Sequence, residues 1–291
     1  MTDNNMSHPK VFAIILNYNG KDFLLSCIES LYKSDYPNLE IVVVDNNSTD
    51  GSLEDAREKF SRLHFIKNSE NMGFAAGNNV AIRFALEKMA DYVFLLNNDA
   101  VVEPDAISKL VTEAEKDSSG GIWSPVILSW DKSRIWFAGG DVLWDKMKTF
   151  HITTVPSDSP YQTGYVSGCA ILIKKDVFKK IGLFDERFFL YYEDADFSHQ
   201  AKKAGFKLIM VPSAIAYHAE QSEAENPSKL YWLVLSGIIF FKKNFHGSKG
   251  LWIAFYLMLR KFKNSLDLFA KNDEKKMNVR RAYRNYKKFL R

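Results

Sequence analysis

Three short polar clusters carry residue types suited to a phosphate-bearing ligand. They are Asn17-Tyr18-Asn19, Asp45-Asn46-Asn47-Ser48 and Asn97-Asn98-Asp99, and each directly follows an apolar run. A fourth, Tyr217-His218, ends the run Ile215-Ala216. One polar cluster after a strand is ordinary turn chemistry. Recurrence is more telling, because parallel strands bring their C-terminal ends to one sheet edge, where open α/β sheets bind ligands. Asp99 is a hard oxygen donor. Mg2+ or Mn2+ takes one or two carboxylates together with substrate phosphates, and His218 is a candidate nitrogen ligand to the same cation. No G-x-G-x-x-G follows the first apolar run and no G-x-x-x-x-G-K-[ST] occurs, so phosphate must be held by another route, and metal is the obvious one.

A second chemical segment runs from Gly182 to Asp196. Glu193, Asp194 and Asp196 follow the aromatic residues Phe184, Phe188, Phe189, Tyr191 and Tyr192. A carboxylate at the mouth of an apolar pocket can take a raised pKa and act as a general base. The same three acids also suit a helix N-terminus, and the two readings are compatible. Phe188, Phe189, Tyr191, Tyr192 and Trp123 are candidate ligand-stacking rings, with core packing the commoner fate of such residues.

The elements that must position these groups alternate. Val11–Leu16, Ile41–Val44 and Tyr92–Leu96 read as strands buried on both faces, and Leu63–Lys67 as a shorter one. Helices are expected over Phe23–Tyr32, after the Asp45–Gly51 turn, over Ala75–Met89, and from Pro104 to about Lys116. That order implies a doubly wound α/β sheet, mostly parallel. Beyond it, Gly121–Ser129, Arg134–Phe137, Tyr165–Lys174, Leu208–Val211 and Ala214–Tyr217 read as strands. A short helix is expected from Asp176 and another over Asp194–Ala204, while Asp141–Gln162 reads as irregular loop and everything from Pro227 as helical.

At 291 residues, 46% hydrophobic and 25% charged, the chain suits one large soluble domain, or one domain with an appendage. The expected division is residues 1–225 and a basic amphipathic helical region, 226–291. Cys27 and Cys169 form neither a disulfide framework nor a metal spacing. The polar start, Met1–Lys10, has no apolar signal core, and no stretch of about 18 apolar residues occurs. These features point to the cytoplasm. Net charge is +4 overall, but Arg260–Arg291 carries 12 Lys/Arg against 3 Asp/Glu, so +9 sits there and −5 on the rest. The basic end pairs with apolar stretches at Tyr231–Phe241 and Leu251–Leu259, each followed by basic residues. The pattern fits helices lying on an anionic membrane surface, on the inner face of the plasma membrane, or helices packed on the body or on the partner in a homodimer. An acidic body without interleaved basic and aromatic residues argues against nucleic acid.

Taken in order, Val11–Asn19, Ile41–Ser52, Asn71-Met72-Gly73-Phe74-Ala75-Ala76-Gly77-Asn78-Asn79, Leu95–Asp99 and Glu193-Asp194 resemble the family 2 inverting glycosyltransferases of GT-A fold. The pattern is most similar to the bacterial rhamnosyltransferase-like branch, and the resemblance covers roughly Val11 to His218. It implies a donor site for a UDP- or dTDP-linked sugar, with Asp45 and Asn46 at the base or ribose. Asn17, Asn71, Gly73, Asn97 and Asn98 join that site. Leu95–Asp99 stands where the family has its metal-binding D-x-D, and Asp194 stands where it has the base that deprotonates a saccharide or lipid-linked acceptor. Glu193 and Asp196 take supporting roles. Two departures stand out. Asp99 is the only carboxylate of its motif, and Ser236-Gly237 occupies the region where the branch often has Arg-Asn. Two other classes remain open: a sugar nucleotidyltransferase and a non-catalytic nucleotide-sugar-binding protein.

Overall fold

The computed structural model describes residues 8–219, 227–245, 248–266 and 274–289. The expected domain boundary at 225/226 lies outside them.

The N-terminal half alternates as its apolar runs require. It comprises β1 (Val11–Asn17), α1 (Leu24–Tyr32), β2 (Leu39–Asp45), α2 (Ser52–Lys59), β3 (His64–Lys67), α3 (Gly73–Glu87) and β4 (Tyr92–Asn97). The four strands are parallel in the order β3-β2-β1-β4. Val11–Ile15 at the centre are fully buried. These five residues are flanked by protein on both faces, which is why the run is continuous rather than alternating. Right-handed crossovers carry α1 and α2 past one face as the chain moves outward from β1. The step back from β3 to β4 sends α3 past the other. The order thus reverses between β1 and β4, and a doubly wound sheet opens its ligand crevice at such a point.

The second half extends this sheet. It holds β5 (Ala100–Val102), α4 (Ala106–Lys116), β6 (Gly120–Ser129), β7 (Ile135–Phe137), β8 (Gly140–Leu143), β9 (Lys148–His151), β10 (Tyr161–Gln162), β11 (Ala170–Lys174), α5 (Lys175–Ile181), α6 (Glu193–Lys203) and β12 (Lys207–His218). The strand β11 inserts antiparallel between β4 and β6, and β12 runs parallel to β6. The long ladders are the parallel ones, so the doubly wound, mostly parallel expectation holds.

Three local expectations are corrected. Only Ala170–Lys174 of Tyr165–Lys174 is strand; residues 165–169 leave the sheet as a loop. Leu208–Val211 and Ala214–Tyr217 are one strand, with a register shift between Val211 and Ile215 around Pro212, which has no N–H for the ladder. Asp141–Gln162 is not irregular throughout: it holds the antiparallel β8–β9 hairpin, anchored where Trp144 packs on Phe240, Phe241 and Phe245.

Three further helices close the described chain: α7 (Pro227–Asn244), α8 (Ser248–Leu266) and α9 (Glu274–Asn285), the last running into a 3-10 turn at Tyr286–Phe289. The inner face of α7, with Leu235, Ile238, Ile239, Phe240 and Phe241, is buried in the main core. No described helix is long and apolar enough to cross a membrane.

Candidate active site

The register of the parallel strands places the first three polar clusters together. Asn17 sits opposite Asp45, and Leu16 opposite Asn97. Asn17 Nδ2 donates to Asp45 Oδ1 at 2.8 Å and lies within bonding distance of Ser48 Oγ (3.1 Å) and Ser52 Oγ (2.9 Å). Its Oδ1 accepts from Asn98 Nδ2 at 3.0 Å. Asp45 also accepts from the Ser48 N–H and hydroxyl. Both Asn17 and Asp45 are fully buried, so they brace the site from beneath, with their polar atoms satisfied as burial requires.

Above them opens a cavity of about 720 Å3, within the range of small-molecule sites. Tyr18, Asn46, Asn71, Gly73 and Asn97 through Asp99 line one side. Asn46 is locked there by Asn68 Nδ2, which donates to its Oδ1, while its own Nδ2 donates to the Gly73 carbonyl and Asn71 Oδ1. Gly73 has φ +79°, and a Cβ there would lie 2.4 Å from the Phe189 carbonyl oxygen and 2.7 Å from its ring. Gly73→Ala combines a left-handed backbone with a clash. It is expected to cost about 2–4 kcal/mol and to weaken ligand binding in the cavity, raising any KM measured there. An unchanged melting temperature and KM would show that the Phe189 wall is not fixed.

The β5–β12 pairing brings His218, at the C-terminal end of β12, beside Asp99 on the same sheet edge. The strands β5 and β12 pair His218 with Ala100, and the Ala219 N–H donates to the Asp99 carbonyl at 2.9 Å. That ladder holds His218 Nε2 3.2 Å from Asp99 Oδ1. The Trp136 ring packs edge-on against His218 at 4.5 Å and reaches His151 at 4.8 Å. Buried His218 Nδ1 has no hydrogen-bond partner.

The opposite wall carries Glu193 and Asp194, the first residues of α6. Two successive tyrosines, Tyr191 (φ 69°) and Tyr192 (φ 65°), adopt left-handed backbone just before them. Such residues are strained by about 1–3 kcal/mol each, and the turn they make persists because α7 clamps it. The Ser236 hydroxyl donates to the Leu190 carbonyl at 2.8 Å, and Gly237 leaves room for the Tyr192 ring, which a Cβ would meet at 3.2 Å. Lys243 pairs with Asp185 and Asp196 at 2.7 and 2.6 Å, and Asn244 donates to Asp196 at 2.8 Å. Ser236-Gly237 thus secures the turn, and Asp196 is consumed in holding α7 rather than lining the cavity.

The two remaining acids differ electrostatically. Burial pushes Glu193 well up, reinforced by the neighbouring Asp194 charge, and its Oε2 has no hydrogen-bond partner. Burial also raises Asp194, but the Gly168 N–H donates to its Oδ2 at 3.0 Å and the Ala195 N–H to its Oδ1 at 2.7 Å, both favouring the ion. The helix N-terminus adds to that. Two N–H donors on Asp194 and none on Glu193 Oε2 make Asp194 the better-stabilised anion of the pair and Glu193 the more readily protonated.

Several lining residues had no signal in their own segments. Thr149 and His151 arrive on β9, and Lys229, Trp232 and Leu233 on α7. Trp232 stacks on Phe189 with centroids 4.3 Å apart. Of the candidate rings, Phe189, Tyr191 and Tyr192 line the cavity, whereas Phe188 and Trp123 are fully buried core.

With this geometry in view, residues 12–182 match the sequence profile of glycosyl transferase family 2. The chain belongs to glycosyl transferase family 2. Membership sets the sugar nucleotidyltransferase reading aside. The chain is 24% identical over 244 residues to the dTDP-rhamnosyl transferase RfbF of Shigella flexneri, covering 80% of each protein. It is 27% identical over 243 residues to the N-acetylglucosaminyl-diphospho-decaprenol L-rhamnosyltransferase of Mycobacterium tuberculosis, covering 74% of this chain and 78% of that one. The resemblance to the rhamnosyltransferase-like branch therefore stands. In fold, it superposes on GalNAc-T7, solved with UDP, GalNAc and Mn2+, with a TM-score of 0.70 at 16% identity. That match covers 98% of this chain and 57% of the other, and it shows the GT-A fold.

A divalent cation fits this family 2 site as a shared ligand. Asp99 Oδ1 and His218 Nε2 converge at the cavity wall. Among the described residues no group of three or more His, Cys, Asp or Glu gathers to hold a metal. A cation seated here would have Asp99 and His218 as protein donors and would complete its shell from phosphate and water, the habit of Mg2+ and Mn2+.

Proposed function

We propose that this protein is an inverting glycosyltransferase that moves a sugar, rhamnose by its branch resemblance, from a UDP- or dTDP-linked donor to a saccharide or lipid-linked acceptor in cell-surface polysaccharide synthesis. The observation that carries the reading is Asp194. It is a charged carboxylate held by two backbone N–H groups on the wall of the cavity that also contains Asp99 and His218.

Asn46, Asn71 and the edge at Asn97–Asn98 receive the nucleoside, on a floor braced by Asn17 and Asp45. Asp99 and His218 would hold a Mg2+ or Mn2+ ion, which would offset the negative charge that develops on the leaving diphosphate. Lys229 adds positive charge to the same cavity, in the helix where the branch often carries Arg. Asp194 takes the proton of the acceptor hydroxyl as its oxygen attacks the anomeric carbon. The bond from that carbon to the β-phosphate oxygen breaks with its electron pair, and the nucleoside diphosphate leaves from the opposite face. A single in-line displacement inverts the anomeric centre. Phe189, Tyr191 and Tyr192 offer ring surface to the sugars.

The test is a panel of UDP- and dTDP-sugars with Mn2+ or Mg2+, read by thermal shift and by nucleoside diphosphate release. dTDP-rhamnose with Mn2+ is expected to raise the melting temperature and to be cleaved slowly without acceptor. Stabilisation without release, with or without acceptor candidates, would instead establish a non-catalytic binder. No response to any donor would remove the assignment altogether.

A further inference from the structure

The helix α8 is amphipathic in the wrong direction for a helix packed only on its own body. Ile253 and Leu257 face inward and are 2% and 8% exposed. On the opposite side Trp252, Phe255, Met258 and Leu259 are 48%, 46%, 58% and 47% exposed. At about 100° per residue those four fall within an arc of roughly 120°. Soluble surfaces scatter single apolar residues but rarely align large ones.

The neighbouring helix is cationic. The outer face of α9 presents Met277, Arg281 and Arg284 at i, i+4 and i+7, followed by exposed Lys287 and Lys288. An isologous dimer through this region would set that cationic face against its own copy. An anionic bilayer satisfies both features at once: Trp, Phe, Met and Leu enter the headgroup boundary while Arg and Lys meet lipid phosphates. We propose that α8 is a membrane-docking helix, lying flat in an anionic bilayer surface on its Trp252–Leu259 face with α9 supplying the electrostatic attraction. The location fits an acceptor drawn from the membrane. Trp252 Nε1 donates to the Asp145 carbonyl and Tyr256 OH to the Lys146 carbonyl, both at 3.4 Å. That seats α8 on the tip of the β8–β9 hairpin, whose far end lines the cavity with Thr149 and His151.

Flotation of the full chain with phosphatidylglycerol/phosphatidylcholine vesicles is the test, with pure phosphatidylcholine as reference. Binding is expected to anionic vesicles only, to weaken with salt, and to fall at least about a hundredfold in the triple variant Phe255→Ser/Met258→Ser/Leu259→Ser. Should that variant fail to fold, brominated phosphatidylglycerol is expected to quench wild-type tryptophan fluorescence, and Trp252→Phe to abolish most of that quenching. Failure of the wild type to bind, undiminished binding by the folded triple variant, or a reversible dimer that this variant dissolves without any vesicle binding would each overturn the proposal. None of these readouts depends on the donor sugar or on turnover.

Discussion

Asp194→Asn is expected to lower kcat by at least about a hundredfold, the usual contribution of a positioned general base, while donor affinity stays close to wild type. The substitution keeps the shape of the side chain and one oxygen to accept from Gly168 or Ala195. It removes only the capacity to take a proton. Turnover measured by nucleoside diphosphate release, beside donor affinity from thermal shift, separates the two effects. Near-normal turnover would remove Asp194 from the role. The pH profile gives a second reading. Asp194 works only when ionised, and burial raises its carboxyl above the ordinary range, so the acid limb of kcat is expected above the pH at which a solvent-exposed aspartate titrates. Glu193→Gln provides the contrast. Burial favours the protonated form of Glu193, so its neutral isostere should leave kcat within about tenfold. The sign for stability follows from the same raised pKa: the unfolded chain gives up this proton first as pH rises, so the wild type loses stability progressively as pH climbs from the ordinary glutamate range toward the raised folded one. The Gln variant is expected to lose less there. A Glu193→Gln loss as deep as that of Asp194→Asn would reassign the base.

What was legible beforehand was whatever depends on local pattern. Three continuous apolar runs mark strands buried on both faces, and with the shorter β3, in alternation with helices, they dictate a doubly wound sheet. The convergence of Asn17, Asp45 and Asn97 follows from parallel register alone. The pattern could not tell which of those side chains meet the ligand. Asp45 and Asn46 are adjacent, yet Asp45 is spent on Asn17 and Ser48 while Asn46 reaches the cavity. Nor could it show the β8–β9 hairpin, whose position rests on Trp144 meeting Phe240, Phe241 and Phe245 about a hundred residues away. The left-handed pair Tyr191–Tyr192 was equally hidden, because neither residue type favours that backbone. It is imposed by Ser236, Phe240, Phe241 and Lys243 from α7. The helix that looked like an appendage shapes the turn that carries Asp194, the proposed base.

The same dependence on a single group makes Asp99→Asn the second large effect. At the proposed cation seat, Asp99 and His218 are the two protein donors, and of these Asp99 is the anionic one. Asparagine keeps the size and the backbone link through the Asp99 carbonyl and Ala219, so the β5–β12 ladder and His218 stay in place. What disappears is the negative charge that makes a hard cation prefer this position over water. Loss of one preorganised electrostatic contact to a developing anion costs about 10²–10³-fold in rate, and a change of that size in kcat/KM is expected here. The Mn2+ concentration giving half-maximal donor stabilisation should rise by at least about tenfold, and chelator should abolish wild-type turnover. Because the diphosphate supplies part of the shell, saturating Mn2+ is expected to restore part of the activity of this variant but none to Asp194→Asn. An Asp99→Asn protein with unaltered metal dependence would place the cation elsewhere, and wild-type turnover surviving in chelator would leave Lys229 as the charge that answers the diphosphate.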